Sequence, residues 1–174
     1  DLKVDEVYNL GRAIACYLLS RNPHFKTMAI GMDGRIHSSV IKDHLSRAMQ
    51  ESGIDVQFIG VCPTPVLYFT LHNKPVDGGI MITASHNTKE YNGLKICLGK
   101  ESVWGKQIQE IKKMYQEKKS VISPSRGVEI FMPMIDLYLD WLVHHFPELR
   151  GMQRSVVVDC GNGAAGTVLP QLIE

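Results

Sequence analysis

Short apolar runs alternate along this chain with stretches whose apolar residues recur every three or four positions. That alternation restricts the fold more than any other feature of the sequence. Thr27-Met28-Ala29-Ile30-Gly31, the segments 55–59 and 77–82, and Leu94-Lys95-Ile96-Cys97-Leu98 each fit a strand. Val7, Leu10, Ile14 and Leu18 mark a helix over about 5–20, ended by Asn22-Pro23. Ser38-Ser39 reads as the N-cap of a helix reaching Ser52, with Ile41, Leu45 and Ala48 facing inward and Gly53 as its stop. Pro63-Thr64-Pro65 sets a turn and opens a helix through Val66, Phe69 and Thr70. Trp104, Ile108, Ile111 and Tyr115 predict a further helix. Ile135, Leu139, Leu142 and Phe146 predict another, closed by Pro147. Residues 155–159 read as a strand and 164–173 as a helix start. The pattern predicts an α/β fold: a three-layer α/β/α sandwich with a mainly parallel mixed sheet.

The strand at 77–82 runs into a polar loop, Thr83-Ala84-Ser85-His86-Asn87-Thr88-Lys89-Glu90-Tyr91-Asn92-Gly93. Loops mounted on rigid strands are where chemistry concentrates. Ser85 is a candidate nucleophile or phosphate carrier. His86 and Lys95 are candidate acid/base or phosphate-pairing groups, and Asn87 and Asn92 supply amide donors and suit tight turns. The plainer reading is a hairpin loop whose polar groups satisfy only their own backbone. Asp33-Gly34-Arg35 follows another strand. Its arginine fork suits a phosphate, although Asp33 stabilising the turn and pairing with Arg35 is the plainer reading there too.

Lysine and arginine total 19 against 18 acidic residues, a balance that gives no support for a nucleic-acid partner. With 44% hydrophobic and 21% charged residues the chain has the makings of a core and is not of the disordered class. No run is long and apolar enough for a membrane span, so no membrane partner is expected. Cys16, Cys62, Cys97 and Cys160 form no C-x-x-C pair. They read as buried free thiols in a reducing, cytoplasmic setting. Lys112, Lys113, Lys118 and Lys119 read as a solvated helix face. Gly161-Asn162-Gly163-Ala164-Ala165-Gly166 reads as a structural strand-to-helix turn rather than a phosphate cradle.

The run T-A-S-H-N-x-x-x-Y-N-G-x-K, from Thr83 to Lys95, resembles the phosphoserine loop of the alpha-D-phosphohexomutases, the phosphomannomutase/phosphoglucomutase family. Gly31-Met32-Asp33-Gly34-Arg35 resembles that family's G-x-D-G-R turn. The stretch Gly60 to Pro65 resembles its G-x-x-P-T-P turn, and 156–166 resembles the opening of its second domain. The resemblance implies a first domain at 1–150 without its first strand and the start of a second at 151–174. It implies an N-terminal fragment of an enzyme that interconverts hexose 1-phosphates and 6-phosphates through a phosphoserine and a hexose bisphosphate, inactive as it stands.

On that resemblance Ser85 matches the phosphoserine and Lys95 the acid/base lysine. His86 and Asn87 match the residues beside the serine. Mg2+ is implied, held by the phosphate on Ser85 and by aspartates of a motif that these residues lack. Thr88 stands where the family usually has proline, which predicts a slightly looser loop. Two other readings stay open. Ser85 and His86 would make a hydrolase pair, though no G-x-S-x-G elbow surrounds the serine. A non-catalytic sugar-phosphate binding module would keep the fold without the chemistry.

Overall fold

The computed structural model describes residues 2–173; Asp1 and Glu174, the outer ends of the two expected domains, lie outside the described residues. In chain order the elements are α1 (Val4–Arg21), β1 (Thr27–Met32), α2 (Ser38–Glu51), β2 (Asp55–Val61), α3 (Thr64–Asn73) and β3 (Gly78–Ile82). Then come β4 (Leu94–Leu98), β5 (Glu101–Ser102), α4 (Lys106–Gln116), β6 (Glu129–Phe131) and α5 (Ile135–His145). Short 3-10 turns and α6 (Leu169–Ile173) end the described chain. The sheet order is β5-β4-β3-β1-β2-β6. β3, β1, β2 and β6 run parallel, while β4 is antiparallel to β3 and β5 to β4. This is the expected mainly parallel mixed sheet.

Burial on both faces explains why the two central strands, β1 and β3, read as unbroken apolar runs. Every residue of β3 is buried, and so are the inner four of β1. Met28, Ile30, Ile80, Ile82 and Ile96 join Ile14, Leu18, Ile41, Leu45 and Ile111 in a cluster under α1, α2 and α4. Ala29, Ile59 and Met81 face the other way, onto Val66, Leu67 and Met134 beneath α3 and α5. Two apolar layers on one sheet make the three-layer sandwich.

Three local expectations are corrected, and two strands are added. Ser38 does not cap α2: the cap position is His37, with no side-chain cap bond, and the Ser38 hydroxyl donates to Asp33 instead. Trp104 precedes α4 and is 75% exposed, and only Ile111 of that helix is buried. Residues 155–159 pair with no strand among the described residues, and Val157 is 99% exposed. Apolar β-branched side chains favour a pleated surface, but a strand exists only beside a partner. Finally, β5 and β6 do not show in the sequence pattern. Both are short edge strands with exposed side chains, held by main-chain pairing.

Candidate functional site

The order of the strands decides where a ligand can sit. From β1 the chain passes through α2 to β2 on one side. From β2 it returns through α3 to β3 on the other side of β1. The helices leave in opposite directions, α2 over one face and α3 over the other, so the carboxyl ends of β1 and β3 open a crevice between them. Parallel α/β sheets bind ligands at such a switch point. Main-chain bonds pin its rim. The Asp33 N–H donates to the Ile82 carbonyl at 3.0 Å, and the Cys62 N–H to the Met32 carbonyl at 2.9 Å.

A cleft of about 920 Å³ opens there. Its lining includes Asp33, Arg35, Cys62, Thr64, Ser85, His86, Asn87 and Lys95, so all five candidate site residues border one space. The prolines of Pro63-Thr64-Pro65 border it too, with Pro63 at the cap position of α3. The Cys160 to Ala165 turn also lines this cleft, a placement that its glycine pattern alone did not indicate.

The serine loop bridges the antiparallel pair β3–β4. Lys95 sits opposite Met81 in the ladder. Below the loop the Thr83 N–H donates to the Gly93 carbonyl at 2.9 Å, which closes its neck. Above the neck, turns are closed by Asn87 N–H to Ala84 at 3.1 Å and Tyr91 N–H to Thr88 at 3.2 Å. Ser85 itself takes φ +54°, the left-handed region, with its N–H on the Thr83 hydroxyl at 3.0 Å. That conformation costs a non-glycine residue roughly 1–2 kcal/mol. Strain of this sort persists where the surroundings over-determine it and gathers at functional positions.

Ser85, His86 and Lys95 are all exposed to the cleft. Neither His86 nor Lys95 makes a side-chain hydrogen bond or ion pair among the described residues. No hydrogen bond joins Ser85 to His86 there either, so a preformed hydrolase pair is absent. A hydroxyl at a loop tip, in a cleft that an uncommitted ammonium and an imidazole also line, is equipped to receive and hold an anion.

Arg35 stands apart from that group. Its Nε donates to Asp33 Oδ2 at 3.0 Å, and its two terminal nitrogens donate to carbonyls of the serine loop. Asp33 Oδ1 accepts from the Arg35 N–H at 3.1 Å and from the Ser38 hydroxyl at 2.8 Å. Ser38 is fully buried, and its oxygen accepts from Asn92 Nδ2 at 2.9 Å. Sequence reasoning found the Asp33–Arg35 pair but not Ser38 or the loop carbonyls. The signal for Ser38 is a hydroxyl five residues after Asp33, at a position that equally suits a helix cap.

The four cysteines are free, as expected, but only Cys62 and Cys97 are buried; Cys16 and Cys160 are partly exposed. Burial pushes the Cys62 thiol up from 9.0 to about 12. The thiolate is the reactive form, so this burial disfavours reaction at Cys62 near neutrality although it borders the cleft. Iodoacetamide at pH 8 is expected to alkylate Cys160 in the folded chain and to reach Cys62 only after urea, as peptide mapping would read. The neutral thiol's contribution to stability is whole below pH 9 and is lost as the pH climbs from 9 toward 12.

Among the described residues no three His, Cys, Asp or Glu groups come together to hold a metal ion. No described helix is long and apolar enough to cross a membrane. Lys112, Lys113, Lys118 and Lys119 lie exposed as expected, with Lys113 and Lys119 beside Glu117 at 3.9 and 2.9 Å.

Comparison with known proteins adds independent findings. Residues 1–121 match the family described as phosphoglucomutase/phosphomannomutase, alpha/beta/alpha domain I. A phosphomannomutase/phosphoglucomutase of Pseudomonas aeruginosa is 35% identical over 99% of this chain and 36% of its own length. A phosphoglucomutase of Neisseria gonorrhoeae is 33% identical over 98% of this chain and 36% of its own length. The chain thus spans about a third of the curated relatives it matches. A phosphoglucomutase/phosphomannomutase family protein from Burkholderia thailandensis superposes with a TM-score of 0.85 at 28% identity. The match covers 98% of this chain and 38% of that one.

Proposed function

The chain belongs to the phosphoglucomutase/phosphomannomutase family, and on that premise we propose that Ser85 is the phosphate carrier of a phosphohexomutase. The observation that carries this reading is the Ser85 loop itself. Its exposed hydroxyl stands at a strained loop tip in the switch-point cleft, with Lys95 and His86 uncommitted beside it.

In the proposed reaction a phosphate on Ser85 Oγ passes to a free hydroxyl of a hexose monophosphate. The Oγ–P bond breaks as the sugar O–P bond forms. The sugar hydroxyl gives up its proton, and the serine oxygen regains one. Lys95 is the acid/base group for that exchange. His86 and Asn87 offset the charge spread over the phosphoryl oxygens, the main task in such transfers. The hexose bisphosphate then turns over in the cleft and returns its other phosphate to Ser85, which completes the interconversion of 1-phosphate and 6-phosphate.

Magnesium, when bound, supplies charge neutralisation at the transferred phosphate. Within this chain only the phosphate on Ser85 would be a ligand. We read residues 1–150 as the phosphoserine domain and 151–174 as the start of a second. On this reading the chain is a part of a longer enzyme of carbohydrate metabolism, with a hexose phosphate as substrate and a cytoplasmic location.

The test is a mutase assay with a hexose 1-phosphate, a trace of hexose bisphosphate and Mg2+. The 174-residue chain alone is expected to show no turnover, while an enzyme of its relatives' length that carries it converts the sugar. Turnover by the 174 residues alone would contradict this division of labour.

A further inference from the structure

Arg35 borders the cleft with the side chain best suited to grip a phosphate, yet its bonding is already complete. A guanidinium carries five N–H groups. Here Nε donates to Asp33 Oδ2 at 3.0 Å. One terminal nitrogen donates to the carbonyls of Thr88 at 2.6 Å and Tyr91 at 3.1 Å. The other donates to the carbonyls of Asn87 at 2.7 Å and Ser85 at 3.3 Å. Five donors meet five acceptors, and four of those acceptors are main-chain oxygens of one loop. No donor is left over for a ligand in this arrangement.

The guanidinium is also held from behind. Asp33 fixes Nε with one carboxylate oxygen and takes the Ser38 hydroxyl on the other, and Ser38 in turn accepts from Asn92 at the far end of the loop. A single chain of hydrogen bonds therefore runs from the foot of β4, through the start of α2 and the end of β1, into the carbonyls around Ser85. The side chains of Asp33 and Arg35 are only 13% and 14% exposed, while the loop carbonyls that Arg35 grips lie at the exposed surface. Ser85 sits in a conformation that its own residue type disfavours. The loop carbonyls converge on Arg35 while the Ser85 hydroxyl stays uncommitted.

We propose that Arg35 is a positioning residue: it moulds the 85–91 loop around its guanidinium and so sets where the Ser85 hydroxyl stands, and it does not bind a substrate phosphate. The inference deepens the phosphate-carrier reading of Ser85. Lysine cannot replace it, since an ammonium offers three donors on a flexible stem and no planar fork.

The test reads the loop and the chemistry separately. Amide hydrogen exchange is measured on the 174-residue chain and its Arg35→Lys and Arg35→Ala variants. The amides of Asn87 and Tyr91, which close the loop turns, are expected to exchange about tenfold faster or more in both variants. Those of β1 and β3 stay unchanged. In the full-length enzyme the same variants are expected to lose kcat while KM for the hexose phosphate stays within about threefold. Unchanged exchange at Asn87 and Tyr91 would overturn the proposal, and so would a raised KM with kcat preserved, the mark of a lost ligand. If Arg35→Ala fails to fold, Arg35→Lys and Asp33→Asn carry the same exchange test, with acceleration again expected and unchanged rates overturning it. The exchange result does not depend on Ser85 carrying phosphate, so failure of the clasp and failure of the carrier reading are told apart.

Discussion

Replacing Ser85 with alanine is expected to abolish mutase turnover in the full-length enzyme, by on the order of 10⁴–10⁶-fold in kcat, the scale for deleting a group that forms the covalent intermediate. Alanine has no Oγ, so no O–P bond can form at residue 85 and neither half of the exchange can proceed. Folding should be untouched. The Ser85 hydroxyl makes no hydrogen bond among the described residues and stands exposed. Serine and alanine meet the same Cβ penalty at φ +54°. Thermal unfolding of the variant is therefore expected within about 0.5 kcal/mol of the parent. Steady-state turnover alongside a melting curve separates lost chemistry from lost structure. Turnover unchanged in Ser85→Ala would mean that another residue carries the phosphate: the nucleophile is misassigned, or this part of the enzyme is a sugar-phosphate binding module.

A large stability effect is expected from Gly78→Ala. Gly78 opens β3, the strand that leads into the serine loop, and pairs with Met28 of β1 and Leu98 of β4. A Cβ added there would lie 2.5 Å from the Cys97 carbonyl oxygen and 3.0 Å from two ring carbons of Phe25. The obstacle is space rather than conformation. A main-chain oxygen within a ladder cannot step aside, so β4 must move off β3 and Phe25 must shift within the core. Overpacking of this severity costs about 3 kcal/mol. For a chain of this size that lowers the melting temperature by about 6–12 °C. Gly34→Ala is the control: its added Cβ meets nothing within 4 Å, and its melting temperature should match the parent's. Equal melting temperatures for Gly78→Ala and the parent would show that the β3–β4 packing is looser than described.

Strands β1 and β3 were legible because they are buried on both faces. Ile80-Met81-Ile82 and Met28-Ala29-Ile30 have no solvent-facing positions to break the apolar run. The long helices were legible for the complementary reason: α1 and α2 each bury one stripe, and Val7, Ile14 and Leu18 or Ile41, Leu45 and Ala48 recur at helical spacing. The edge strands were not. Glu129-Ile130-Phe131 exposes all three residues, and its place is set by main-chain bonds to β2 that no side-chain pattern records. Residues 155–159 show the reverse failure, a strand-like sequence without a pairing partner among the described residues.

At the site, residue types and order were enough to gather Ser85, His86, Asn87, Lys95 and Arg35 in one cleft. What each side chain does there was less legible. Arg35 and Ser38 have side chains that suit a phosphate and a helix cap, and their partners turned out to be loop carbonyls and Asp33. Such partners are fixed by where the chain returns in space, fifty or so residues away in sequence for Arg35. Local pattern carries no record of that return.

The account rests on phosphate travelling through Ser85, and a rapid-quench labelling experiment tests that most directly. The full-length enzyme, mixed with Mg2+ and a hexose bisphosphate labelled in both phosphates, would be quenched within a single turnover and its peptides mapped by mass spectrometry. One phosphatase-sensitive label is expected, on Ser85, rising and falling as the sugar is converted. Label confined to another residue, or sugar converted while Ser85 stays unlabelled throughout, would contradict it.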